Sequence, residues 1–187
     1  MHFTLAQLMK IFPNLNQERA SAHLPHLNEA LNQGNINTPL RVAAFLGQCG
    51  HESGEFRYLE ELADGWDYDP SVNPKLAAKL GNQVKGDGPL FKGRGIIQLT
   101  GRSNYERFSK FMKSTDIMTN PKCVAAPTLA FRAAAWFWTE KGLNSFADNL
   151  DRDFDKNYRC ITVLINGGTT HYDQRVAYYK TAMRVLK

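Results

Sequence analysis

Thr38-Pro39 opens the segment that most constrains this chain. A hydroxyl that can accept from a free backbone N–H, followed by proline at the first helical position, is a strong helix start signal. The residues that follow, LRVAAFLGQCGHES, are apolar nearly all round. A surface helix carries one apolar stripe, so this one is expected at the centre of a core, with the other elements packed about it.

Helical patterning recurs along the chain. Thr4 is placed to cap LAQLMKIF, which ends near Pro13, and Asn16 to cap a second helix closed by Gly34 and interrupted at Pro25. Further helices are expected over Ser103–Met112, Thr128–Lys141, Asp155–Ile165 and Gln174–Leu186. Between Gly54 and Leu99 the period fades among glycines and prolines. That insert, roughly 54–100, reads as loops, one short helix near Asn73–Leu80 and a small β-hairpin, with IIQL as a short buried strand or extended element. The chain is thus mainly α. Its 187 residues fit a single domain, or two lobes sharing a core.

Composition excludes several classes. Hydrophobic residues make up 43% and charged residues 22%, ordinary for a folded protein. No apolar run reaches the roughly 20 residues that span a bilayer. The N-terminus lacks a basic leader and a cleavage site, so no Sec-type signal is expected. Three cysteines, Cys49, Cys123 and Cys160, are too few for a disulfide scaffold and point to synthesis in a reducing cytosol.

Net charge is +5, unevenly spread. From His51 to Asp69 seven acidic side chains face Arg57 alone, whereas Asn82–Lys113 and Asp173–Lys187 are basic. Such a balance allows attraction to polyanions such as a bacterial envelope, or merely marks solvated faces. The last helix sets its positive charge opposite a Val176, Tyr179, Met183, Leu186 stripe, which either packs on the core or meets an anionic envelope. No zinc knuckle or basic recognition helix is present, so nucleic acid is not an expected partner.

Four constellations can carry chemistry. In HESGEF, Glu52 shares a helical face with Cys49 and Phe45 at the end of the apolar helix. Partial desolvation there would suit a carboxyl to act as an acid near neutrality; the plainer role is a cap or surface ion pair. His51-Glu52 lacks the second histidine of a zincin, and His2, His23, His26 and His171 show no ligand spacing, so no metal is expected. Glu61 follows nine residues later. On a continuous helix the two would lie on opposite faces about 13.5 Å apart along the axis, but Ser53-Gly54 can break the helix and turn the chain back. Two carboxyls about 6.5–9.5 Å apart with a water between them define an inverting glycosidase. Glu55 and Glu60 compete for the same role. GDGPLFKGRGIIQLTGRSNY at Gly86–Tyr105 permits close backbone approach to a ligand, yet is neither a Walker A loop nor a dinucleotide fingerprint. INGG at Ile165–Gly168 reads alone as a helix C-cap.

Together, AFLGQCGHESGEFRYLEE, GDGPLFKGRGIIQLTGRSNY and INGG before an Arg-bearing, Tyr-rich helix resemble glycoside hydrolase family 19, which holds plant-type chitinases and a branch of bacteriophage endolysins. The similarity runs from about Thr38 to Tyr179, and the short layout with GHESGEF and FKGRG resembles the endolysin branch. It implies a lysozyme-like α+β fold, a cleft between two lobes, and inverting hydrolysis of a β-1,4 aminosugar polymer without a cofactor. By position Glu52 matches the general acid, Glu61 the general base and Thr100 the hydroxyl that helps hold the water. Gln98, Asn104 and Asn166 match sugar-binding residues; His51, which would orient its neighbours, and Arg175, which would support the base side, are expected in contact with substrate as well. Where plant chitinases carry a Glu shortly after NGG, this chain has Thr169 and Thr170.

The resemblance implies a monomeric peptidoglycan hydrolase, made in the host cytoplasm and reaching the wall through a holin or a secretion system. A chitinase of the same family is the alternative. A zinc peptidase or amidase and a non-catalytic wall-binding module are the remaining classes.

Overall fold

A computed structural model describes residues 2–186. Among them eleven α-helices account for most of the chain: α1 Leu5–Ile11, α2 Gln17–Gln33, α3 Pro39–Glu52, α4 Pro74–Leu80, α5 Asp87–Leu90, α6 Arg102–Met112, α7 Asp116–Thr119, α8 Pro127–Glu140, α9 Leu143–Ala147, α10 Phe154–Asn166 and α11 Tyr172–Leu186. No helix among the described residues is long and apolar enough to cross a membrane. The chain forms two compact units, one of residues up to Arg57 together with those from Ala134 onward, the other Tyr58–Ala133.

The first unit is built on α3. Thr38 accepts from the Arg41 N–H and Pro39 opens the helix, after which every residue from Val42 to Gly50 is buried. This is the central helix that the apolar run calls for. α11 packs along α3, α1 packs against α11 and α2, and α10 lies against α9 and α3. Thr4 and Gln7 form a reciprocal capping box at the start of α1, and Asn16 caps α2 at 2.8 Å from the Arg19 N–H. α2 is not interrupted at Pro25. Pro25 and Ser21, whose carbonyl loses its partner, both face solvent, while Ala20, Leu27, Ala30 and Leu31 hold the helix from its other side. On α11 the buried residues are Arg175, Tyr179 and Ala182. Tyr179 packs against Phe154 and Tyr158; Val176, Met183 and Leu186 are half-buried, and Lys187 lies outside the described residues.

The second unit holds the glycine-rich insert. Asn73 caps α4 and Pro74 opens it, as the sequence predicts. The expected hairpin is reduced to isolated antiparallel bridges, Glu60 with Arg94 and Arg94 with Leu99. Arg94 and Leu99 exchange both backbone hydrogen bonds, at 3.1 and 2.7 Å. IIQL is therefore not a strand: residues 95–98 form the tight turn between the two, with Gly95 at φ +80° and Gln98 at φ +54°, and of IIQL only Leu99 is bridge-paired. Buried side chains replace the missing ladder. Asp87 accepts from the N–H groups of Gln83 and Val84 and from Arg102 Nε at 2.8 Å. Against the upward push of burial, these bonds hold its carboxyl below the usual range. Arg94, 2% exposed, pairs with Glu60 at 3.1 Å and donates to the Leu90 carbonyl. Part of the acidic and basic asymmetry of the sequence is thus internal scaffolding.

Candidate active site

Glu52 is the last residue of α3. Ser53 ends the helix by returning its hydroxyl to the Cys49 carbonyl at 2.6 Å, and its oxygen then accepts the Phe56 N–H at 2.9 Å. Gly54, Glu55 and Phe56 all take positive φ, so the chain turns sharply away. The Glu52 carboxylate, 17% exposed, does not meet the apolar surroundings the helix pattern implies. Its Oε1 lies 2.6 Å from Arg175 Nη2 on α11. The contact is an ion pair without a well-directed hydrogen bond, since no donor meets that oxygen at a favourable angle. Arg175, expected on the base side and in contact with sugar, is 1% exposed and serves Glu52 instead. The guanidinium also donates to Gln48 Oε1 at 2.7 Å and to the Thr170 carbonyl at 3.2 Å. Thr170 thus holds Arg175 through its backbone. His51 sits beside this pair with its ring centroid 5.1 Å from that of His171. Burial, then the Arg175 charge and His171, push its imidazole down to about 4, so it is neutral at pH 7.

In the second unit Glu61 is held on both oxygens. Tyr68 donates its hydroxyl to Oε1 at 2.7 Å, and the Gly93 N–H donates to Oε2 at 3.0 Å. The Glu61 N–H returns a bond to the Gly93 carbonyl at 2.9 Å. Lys92 Nζ clamps the carbonyls of Glu61 and Ala63, each at 3.0 Å. Burial and the Glu61 carboxylate push the Tyr68 hydroxyl up to about 12, so it remains a donor at all working pH values. Gly93 is the point of convergence: a Cβ there would lie 2.9 Å from Gln98 Oε1, 3.1 Å from Glu61 Oε2 and 3.3 Å from Thr100 Oγ1. Three residues named from sequence therefore meet around one glycine. The Thr100 hydroxyl donates to the Gln98 carbonyl at 2.7 Å, which leaves its lone pairs to accept from a water. Asn104 donates to the Thr100 carbonyl and accepts from Arg107, so it braces the turn as much as it faces outward.

The competing carboxylates have other work. Glu60 pairs with Arg94 and Lys92. Glu55 is 4% exposed and accepts from the Asn14 N–H, Asn14 Nδ2 and the Tyr178 hydroxyl. Asn166 stands exposed at the end of α10, where Gly167 closes the helix at φ +75°. Tyr68 lies outside the quoted motifs, and Gln48 and Lys92 lie inside them without being singled out by them; an aromatic seven residues beyond Glu61 and a glutamine one turn before Glu52 are the signals that could have marked two of the three. Among the described residues no group of three or more His, Cys, Asp or Glu side chains could hold a metal ion.

Residues 20–186 match the family described as chitinase class I, glycoside hydrolase family 19. The chain belongs to that family. A family 19 domain-containing protein of Haemophilus influenzae is 32% identical over 93% of this chain and 92% of its own length. An endochitinase of Arabidopsis thaliana is 34% identical over 78% of this chain but only 47% of its own, so this family 19 chain spans about half of that plant relative. Chitinase C of Streptomyces griseus shares the fold with a TM-score of 0.74 at 20% identity, over 98% of this chain and 91% of that one. A class IV chitinase of Zea mays aligns with a TM-score of 0.58 at 22% identity, over 99% and 82%.

Proposed function

We propose that this family 19 chain is an endolysin that hydrolyses the β-1,4 bond between N-acetylmuramic acid and N-acetylglucosamine in peptidoglycan, with inversion. The observation that carries the hydrolytic reading is the setting of Glu61, a carboxylate fixed by Tyr68 and Gly93 beside the unused lone pairs of Thr100. In this reading Glu61 takes a proton from a water that Thr100 helps hold, and the water attacks the anomeric carbon. Glu52 gives its proton to the departing glycosidic oxygen, and the Arg175 guanidinium stabilises the carboxylate left behind. Neutral His51 orients its neighbours, while Gln98, Asn104 and Asn166 offer amide groups to the sugars.

Several features support a bacterial wall as the target. The chain matches a bacterial relative nearly end to end, its net charge of +5 favours an anionic polymer, and its three cysteines are free, in keeping with synthesis in a reducing cytosol before release by a holin or a secretion system. Exposed Lys180 and Arg184 offer α11 a route to an anionic envelope; reversing Arg184 should then weaken binding to anionic vesicles and spare hydrolysis. The endochitinase names of plant relatives favour chitin as the second substrate. The deciding experiment digests purified peptidoglycan and chitin oligomers in parallel and identifies the new ends by mass spectrometry. New reducing sugar ends from peptidoglycan support the endolysin reading, ends from chitin alone favour a chitinase, and free amino groups alone would sink both.

A further inference from the structure

We propose that Gln48 is a positioning residue of the hydrolytic site, setting the Arg175 guanidinium against Glu52; this rests on Glu52 being the general acid. Gln48 is fully buried on α3, one turn before Glu52 and on the same helical face. Hydrogen-bond logic fixes the sense of its amide. The Thr162 hydroxyl donates to the Tyr158 carbonyl at 2.9 Å. Its oxygen can therefore only accept, and it does so from Gln48 Nε2 at 2.9 Å. The Tyr158 hydroxyl has its own hydrogen committed to the Arg175 carbonyl at 2.8 Å. With its nitrogen so engaged, Gln48 must turn Oε1 toward Arg175 Nη1, where it accepts at 2.7 Å.

The result is a closed circuit through α3, α10 and α11. A flipped amide would set N–H groups against a guanidinium, so the circuit admits one arrangement. Gly47 makes it possible, because a Cβ there would lie 2.3 Å from the Tyr158 hydroxyl and 2.9 Å from the Arg175 carbonyl. The other titratable groups around Glu52 and Arg175 include Cys49 and His51 on α3, Tyr158 on α10 and His171 just before α11.

The test compares the unaltered protein with Gln48→Met, which keeps volume without the amide, Thr162→Val, which removes the hydroxyl that orients it together with that hydroxyl's own bond to the Tyr158 carbonyl, and the double variant. Turnover of peptidoglycan and of chitin oligomers is measured per folded molecule, with melting temperature followed separately. Gln48→Met should lower kcat about tenfold or more with KM within about twofold, since it loosens a group needed in the transition state rather than a sugar contact. Thr162→Val should lower kcat less, and the double variant should be no worse than Gln48→Met, because the two act in series. A lower melting temperature with unchanged kcat per folded molecule would overturn the proposal. Should Gln48→Met not fold, unchanged kcat in Thr162→Val would do the same. No turnover of either polymer by the unaltered protein would overturn the hydrolytic reading, and this role with it.

Discussion

The Tyr68 hydroxyl points its hydrogen at Glu61 Oε1 from 2.7 Å, and the Gly93 N–H meets the other oxygen from 3.0 Å. A carboxylate pinned at both oxygens loses little orientation entropy when it acts. Tyr68→Phe keeps the ring and removes the hydroxyl. It should lower kcat about tenfold, with a stability cost near 1 kcal/mol for the lost bond. Steady-state kinetics beside thermal melts will read both; kcat equal to that of the unaltered protein would show that Gly93 alone orients Glu61.

Glu52→Gln and Glu61→Gln should each fold and bind substrate yet lose on the order of 3–6 kcal/mol of barrier lowering. Azide should partly rescue Glu61→Ala on an activated donor by replacing the water. Glu60→Gln and Glu55→Gln should keep turnover. Glu55→Gln should nonetheless melt earlier, at a cost of about 2 kcal/mol, because a buried acceptor of three hydrogen bonds becomes an amide that must turn a donor toward one of them. Loss of turnover in Glu60→Gln with Glu61→Gln active would move the base by one residue.

Gly93→Ala should separate fold from function. The atoms nearest the added methyl are the side-chain ends of Gln98, Glu61 and Thr100 rather than backbone, so stability should fall by about 1 kcal/mol. Displacing three groups around the expected water should cost about a hundredfold in kcat. Circular dichroism with kinetics will test this, and an active Gly93→Ala would argue that these residues do not act together.

His51 makes stability depend on acid. Its imidazole is lowered from 6.5 to about 4 in the folded chain, first by burial, then by Arg175 and His171. The unfolded chain therefore binds a proton that the folded one refuses. This contribution is full above pH 6.5 and falls as pH drops toward 4, by up to about 2 kcal/mol after discounting for partial exposure. Chemical denaturation from pH 7 to 4 should show that loss, and His51→Gln should flatten it. An unchanged slope in His51→Gln would assign the acid sensitivity elsewhere.

What the sequence determined by itself was whatever lies within a few residues along the chain. Thr4, Asn16, Asn73 and the Thr38-Pro39 pair mark helix starts because a capping bond reaches only two or three positions ahead. The apolar run after Pro39 predicts a buried helix because no other setting hides it on all sides. Glu52, Glu61, Thr100 and Gln98 could be named as candidates because their segments carry dense, distinctive motifs, although pattern alone left Glu55 and Glu60 beside Glu61. Tertiary structure alone decided the rest. Pro25 stays helical because its ring and the orphaned carbonyl face water, and which side of a helix faces water is a fact of packing. Ile96, Ile97 and Gln98 fall in a turn because Arg94 and Leu99 pair across them, overriding the β-propensity of the isoleucines. Arg175 joins Glu52 and Gln48, the latter 127 residues away. Its partner is chosen by which buried acceptors α3 presents to α11, and a buried cation takes the carboxylate within its reach.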